Sequence, residues 1–309
     1  MVPPACAWCA TITTTRTTTA TEPITVTEFV QAVAAYPFLR HALLAGLLAA
    51  VASGVVGTYV VTRRITVIAG SLAHTVLGGM GAAYYLRTVH GAAWLQPLHG
   101  AVAAALVAAV IIALVRTHWR EREDTVISAL WAVGMAVGVL FLFQTPGYKA
   151  DLMTYLFGNL VLVDAGVLRL LVVLDLVVIG GALVFYHPLL AVCYDEEFAR
   201  LRGINVTLVT LLMMVLIALA IVTLIYVVGV VMVIALVTLP VSVAGVFARR
   251  LWQMMILSAA LSVLLITAGL AVSYEADLPV GATTILLAAG VYVAVQIGSA
   301  WHRRLKSVI

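Results

Sequence analysis

Long apolar runs, each close to twenty residues, follow one another along most of the chain. They lie at about 42–62, 66–86, 95–115, 125–143, 167–189, 206–226, 228–248, 252–272 and 279–299. A helix needs about 20 apolar residues to cross the hydrocarbon of a bilayer, so the pattern predicts an all-α polytopic bundle of about nine transmembrane helices. Residues 150–163 form a further apolar run that is too short to cross. It predicts a re-entrant or short helix, a form tolerated only where protein or a water-filled cavity surrounds it. Ahead of the first run, Phe29, Val30, Val33 and Tyr36 recur at helical spacing and predict a short helix lying in the interface.

Composition sharpens this picture. Of 309 residues, 64% are hydrophobic and 10% charged, and the mean hydropathy is +1.16. A soluble domain is about one-quarter charged, so this chain lacks the polar surface to cover a water-facing globule. Disorder and nucleic-acid binding are excluded on the same ground. The net charge of +4 comes from 17 Lys and Arg against 13 Asp and Glu, spread between the apolar runs rather than gathered in one stripe. Three cysteines, Cys6, Cys9 and Cys193, make no disulfide framework, and the Cys6-x-x-Cys9 pair reads as inert. Residues 1–27 read as an N-terminal tail, either disordered or ahead of the true start. Residues 28–302 read as one membrane domain and 303–309 as a cytoplasmic tail.

Short loops rich in Lys and Arg stay on the cytoplasmic side. Arg63-Arg64, the Arg116–Asp124 segment, Arg200 with Arg202, Arg249-Arg250 and the terminal Arg303-Arg304-Lys306 are therefore expected inside. The alternation closes if 150–163 enters and leaves on one side. The expectation is a multi-pass protein of the cell membrane with a cytoplasmic C-terminus.

Candidate chemistry is sparse. The chain has only Lys149 and Lys306, neither in a Gly-Lys-[Ser/Thr] sequence, so no P-loop is present. It also has no His-Glu-x-x-His motif. No catalytic residue and no permanently bound cofactor are expected. In the second run, Ser71, His74 and Gly78 share a helix face. An imidazole inside a membrane span normally faces the bundle interior or an aqueous path, and neutral imidazole suits zinc, iron or manganese. The other reading is a packed histidine bonded to one hydroxyl. Thr238 and Pro240 stand together in the seventh run, where proline takes the Leu236 carbonyl off the helical ladder. That kink either exposes oxygen to a passing cation or is purely structural. Asp175 is the clearest acid within a run, either a cation contact or a partner for a neighbouring helix. Between the fifth and sixth runs, Asp195-Glu196-Glu197-Phe198-Ala199-Arg200-Leu201-Arg202-Gly203 reads as a short amphipathic helix. Acids sit in its first turn, bases in its last, and Gly203 is the stop. Phe198 and Leu201 on so charged a helix suggest a docking element for a soluble partner; the other reading is a solvated charged loop.

At these clusters the chain resembles the permease subunits of bacterial ABC-type zinc/manganese/iron importers. The resemblance is carried by Pro37–Gly46, Leu72-Ala73-His74, Leu156-Phe157-Gly158-Asn159-Leu160, Asp195–Gly203, Val228-Gly229-Val230 through Leu239-Pro240, and Ser273-Tyr274-x-x-Asp277-Leu278-Pro279-x-Gly281. It implies a type II-like ABC importer fold and a homodimer. It also implies an ABC ATP-binding subunit seated on the Asp195–Gly203 loop and an extracytoplasmic metal-binding protein on the other side. The transported divalent metal (zinc, manganese or iron) would pass near His74, Ser71, Asp175 and Thr238. One departure stands out, because many relatives carry Asp where this chain has Gly70. An ion-coupled metal carrier or channel working without an ATPase, and a permease for a metal chelate, are the alternative readings.

Overall fold

The computed structural model describes residues 37–92, 94–118, 123–145, 165–276 and 278–306. The predicted tail 1–27 with Cys6 and Cys9, the interfacial helix at Phe29–Tyr36, the 150–163 run and Asp277 lie outside the described residues. Within them the chain is helical, in the order α1 (Pro37–Thr62), α2 (Thr66–Val89), α3 (Pro97–His118), α4 (Glu123–Gln144), α5 (Ala165–Val184), α6 (Tyr186–Tyr194), α7 (Glu196–Leu201), α8 (Val206–Val228), α9 (Val230–Phe247), α10 (Leu251–Ala276) and α11 (Val280–Lys306). Nine of these are long and apolar enough to cross a membrane; α6 and α7 are not.

The fifth span ends earlier than its apolar run. The run 167–189 is a single stretch of hydrophobicity, but α5 stops at Val184 and α6 begins at Tyr186. Pro188 is the cause. It has no N–H to offer the Val184 carbonyl, and its ring would collide with that carbonyl in a continuous helix. Proline is tolerated in the first turn of α6, where the N–H would be unpaired in any case. A second break separates α8 from α9 at Gly229, whose φ of 84° is a conformation that suits glycine. The last helix runs on through Arg303 and Arg304 to Lys306.

Helix α8 is the centre of the bundle. It is apolar around its circumference and buried along nearly its whole length, and it touches α1, α2, α3, α5, α6 and α9. Helix α2 is sandwiched between α3 and α4, and α1 lies against α5, α8, α9 and α10. Lipid tails are as apolar as leucine, so close backbone approach takes over from hydrophobic burial as the force between helices. The α2–α3 contact shows how close. A Cβ placed on Gly79 would stand 2.3 Å from the Gly100 carbonyl oxygen, and one on Gly100 would stand 2.3 Å from the Gly79 carbonyl oxygen. Hydroxyls lock other seams: Ser258 Oγ of α10 donates to the Gly54 carbonyl of α1 at 3.0 Å, and Ser53 lies 3.4 Å from Ser262.

Candidate translocation and coupling sites

The face of α2 singled out by its polar residues lies against α4. Ser71 Oγ donates to the Ile127 carbonyl at 2.9 Å. One turn on, Thr75 Oγ1 lies between the Ser71 carbonyl (2.9 Å) and the Leu130 carbonyl (3.2 Å). Between them, the His74 imidazole stacks on Trp131 with ring centroids 4.6 Å apart and planes 22° from parallel. His74 is 9% exposed, and its Nδ1 has no hydrogen-bond partner among the described residues. The hydroxyl bond that the packed reading of the sequence expects is not made by Nδ1 among the described residues. An imidazole nitrogen in such a place, buried and unpaired, retains its capacity to bind a proton or a metal. Gly70 is what admits the indole. A Cβ at that position would sit 2.9 Å from Trp131 Cζ3 and 3.4 Å from Ile234 Cδ1 of α9.

Helix α9 thus reaches the same neighbourhood. Thr238, one turn beyond Ile234, donates its hydroxyl to the Ile234 carbonyl at 2.7 Å. The helix continues through Pro240 from Val230 to Phe247. Proline lacks the N–H that would meet the Leu236 carbonyl, and the Thr238 hydroxyl serves a neighbouring carbonyl two residues earlier.

Asp175 belongs to a different seam. It is 1% exposed on α5, which packs against α8 and α1. Among the described residues neither carboxylate oxygen makes a hydrogen bond of good geometry, although the Thr223 hydroxyl of α8 interacts with it. Thr223 itself is committed to the Leu219 carbonyl at 3.4 Å. Ser71, His74 and the α9 turn before Thr238 are therefore gathered around α2, whereas Asp175 stands apart between α5 and α8. Among the described residues no three His, Cys, Asp or Glu side chains come together as a metal cage.

The charged segment folds as its sequence pattern predicts. Asp195 caps α7, with one carboxylate oxygen accepting from the amides of Glu197 (2.9 Å) and Phe198 (3.0 Å). Glu196 and Glu197 occupy the first turn, where the helix dipole favours acids, and Arg200 the last. Gly203 ends the element with a φ of 78° and donates to the Arg200 carbonyl at 2.9 Å. Ala199 is wholly buried, while Tyr194, Phe198 and Leu201 are 67%, 49% and 87% exposed. Arg202 covers one face of the Phe198 ring, 5.0 Å from its centre. Glu196 faces inward, not outward: it pairs with Arg63 at the end of α1.

Sequence reasoning did not single out Trp131, Arg63 or the Thr223 hydroxyl as members of these sites. Arg63 stood out only as a loop charge, and Trp131 did not stand out within its apolar run. Nothing in the local pattern links either to its partner, which lies on another helix.

These arrangements define a multi-pass, all-α integral membrane protein with an interior polar seam and a charged elbow where α6 meets α7. The chain belongs to the ABC 3 transport family, whose model matches residues 35–299. It is 35% identical to a probable metal transport system membrane protein of Chlamydia trachomatis, covering 83% of this chain and 87% of that one. It is 30% identical to the manganese transport system membrane protein MntC of Halalkalibacterium halodurans, over 86% of this chain and 89% of the relative. Among solved structures, the complex PsaBC from Streptococcus pneumoniae with a Fab contains a chain that superimposes with a TM-score of 0.77. The identity is 25%, covering 87% of this chain and 95% of that one.

Proposed function

We propose that this protein is the permease subunit of an ATP-driven importer for a divalent transition metal, working as a homodimer in the cell membrane with its C-terminus in the cytoplasm. The observation that carries the reading is the α6–α7 elbow. A six-residue helix, capped at both ends, holds Tyr194, Phe198 and Leu201 toward solvent on an otherwise charged surface. Such exposure is unfavourable unless a partner covers it. An ABC ATP-binding subunit seated there would rock the elbow as it binds and hydrolyses ATP, and an extracytoplasmic metal-binding protein would deliver the cargo on the other side. Asp195, Glu197, Phe198, Arg200 and Gly203 shape the docking surface, while Glu196 ties it to the membrane domain.

On the cargo path, His74 offers an unpaired ring nitrogen, and the Ser71 and Thr238 hydroxyl oxygens each keep a lone pair for a passing cation. These contacts are few and suit transient binding; a tight cage would hold the ion and stall release. In the described conformation Trp131 covers one face of His74, so movement of α4 or of the indole precedes access from that side. Asp175 is a second contact, reached on the α5 side of the bundle. The manganese system named for the H. halodurans relative favours manganese as cargo, with zinc and iron as the other candidates. Pro240 gives α9 a point at which to bend beside α1 and α2.

The test is uptake into proteoliposomes holding the permease and its ATPase partner, with the binding protein loaded in turn with manganese, zinc and iron. ATP-dependent accumulation of one metal is expected, and His74→Ala should lower it by about tenfold or more while leaving the complex assembled. Accumulation by the permease alone under a proton gradient would favour a self-contained carrier and overturn the proposal. Wild-type uptake by His74→Ala would remove His74 from the path.

A further inference from the structure

We infer that Arg63 is the strut through which movement of the α6–α7 elbow enters the membrane domain. The inference rests on the coupling role proposed above and names the residue that transmits it. Arg63 is the first residue beyond α1, and its guanidinium spans the joint between α6 and α7: Nη1 donates to the Val192 carbonyl near the end of α6 at 2.7 Å, and Nη2 pairs with Glu196 at the start of α7. The side chains of Arg63 and Glu196 are only 9% and 20% exposed. A charge-assisted pair so shielded from water is stronger and more directional than a surface pair.

Everything around the pair makes it stiff. The turn after α1 is closed by two backbone bonds, Arg64 N to Val61 O at 3.1 Å and Ile65 N to Val60 O at 2.9 Å. Arg64 stands in the left-handed region at φ 57° to make that closure. Tyr59, one turn before Arg63, is buried. The elbow itself leans on α5 and α8, so α1 reaches it mainly through these side chains.

At its other contacts α1 is packed too closely to yield. A Cβ on Gly57 would lie 2.5 Å from the Val237 carbonyl oxygen and 2.8 Å from Val241 of α9, on either side of Pro240. One on Gly54 would lie 2.5 Å from the Ala259 backbone of α10. A pull on Arg63 is therefore delivered to the proline-bearing helix beside the path and to α10.

The experiment measures metal imported per ATP hydrolysed, in proteoliposomes of the full permease–ATPase complex. Arg63→Ala should lower this ratio about fivefold or more while the ATPase still hydrolyses ATP. Glu196→Gln, which leaves the Val192 bond intact, should lower it less. Arg63→Glu should fail, and adding Glu196→Arg to it should restore part of the ratio, which assigns the effect to the ion pair; the amount of assembled complex, which should stay at the wild-type level in the exchanged pair, separates lost coupling from lost structure. If Arg63→Ala does not assemble, Glu196→Gln and the charge-exchanged pair decide the matter by the same ratio. A wild-type ratio in Arg63→Ala, or no rescue by the exchanged pair together with a wild-type ratio in Glu196→Gln, overturns the inference. The wild-type control separates the two readings: absence of ATP-driven uptake there defeats the importer proposal itself.

Discussion

The cap of α7 offers the sharpest test of how the elbow is built. Six residues are far too few for a helix to persist alone in water, so α7 depends on its ends, on the buried Ala199 and on the Arg63–Glu196 pair. Asp195 contributes in two ways. Its oxygen satisfies the Glu197 and Phe198 amides, worth about 1 kcal/mol for a typical N-cap. Its charge adds about 0.5 kcal/mol against the helix dipole. Asp195→Ala removes both, and about 1.5 kcal/mol corresponds to roughly tenfold in the opening equilibrium of the segment. Asp195→Asn keeps an acceptor and loses only the charge, so its effect should stay within about threefold. Hydrogen exchange read by mass spectrometry, on peptides covering 194–203, reports this directly: protection of Glu197 and Phe198 should fall about tenfold in the alanine variant and little in the asparagine variant. Affinity for the ATPase partner should follow the same order. If the asparagine variant is as open as the alanine variant, charge rather than the cap holds the elbow. If neither changes exchange, α7 is not limited by its N-terminus.

Two further outcomes are expected. Gly79→Ala would place a methyl group 2.3 Å from the Gly100 carbonyl and 2.4 Å from Ala104 Cβ. Overpacking of this kind costs about 1–3 kcal/mol, visible as a lower unfolding temperature in detergent. Gly290→Ala on α11, where an added Cβ would meet no atom beyond its own stretch of helix within 4 Å among the described residues, serves as the neutral control, and equal effects of the two would refute the packing argument. Burial pushes the Cys193 thiol up to about 11, against the opposing pull of Arg63 and Arg116. At pH 8 only about one thiol in a thousand is then the reactive thiolate. With Cys6 and Cys9 replaced by serine, a maleimide should label the native protein negligibly and the denatured protein fully, and the rate should climb as pH rises toward 11.

The spans and the elbow were legible in the sequence because both are local patterns. Runs of twenty apolar residues state their own length, and Asp195, the two glutamates, the arginines and Gly203 state where a helix starts and stops. The end of α5 at Val184 was hidden by hydrophobicity that continues past it, although Pro188 was the available signal. What the pattern could not supply were pairings between helices distant in sequence. Ser71 and His74 were correctly placed on one face of α2, but that face meets Ile127 and Trp131 of α4, more than fifty residues on. Gly70 looked like a missing carboxylate, and its space is taken by the Trp131 ring. Glu196 was legible as part of the charged element, but its pairing with Arg63 at the end of α1 was not. Periodicity assigns a side chain to a face, but it does not name what the face will touch.

The position of α2 has a consequence for how the protein is made. It is the least apolar of the nine spans, yet two-thirds of its most apolar window is buried between α3 and α4. Emerging from a ribosome, such a segment partitions poorly into lipid alone, because its serine, histidine and glycines have no partners there. Its insertion is expected to be completed by the arrival of α3 and α4, which shelter it in the bundle. The neighbours of this helix in the chain are thus also its neighbours in the bundle, and a long insertion that moved them apart is expected to weaken its insertion into the bilayer.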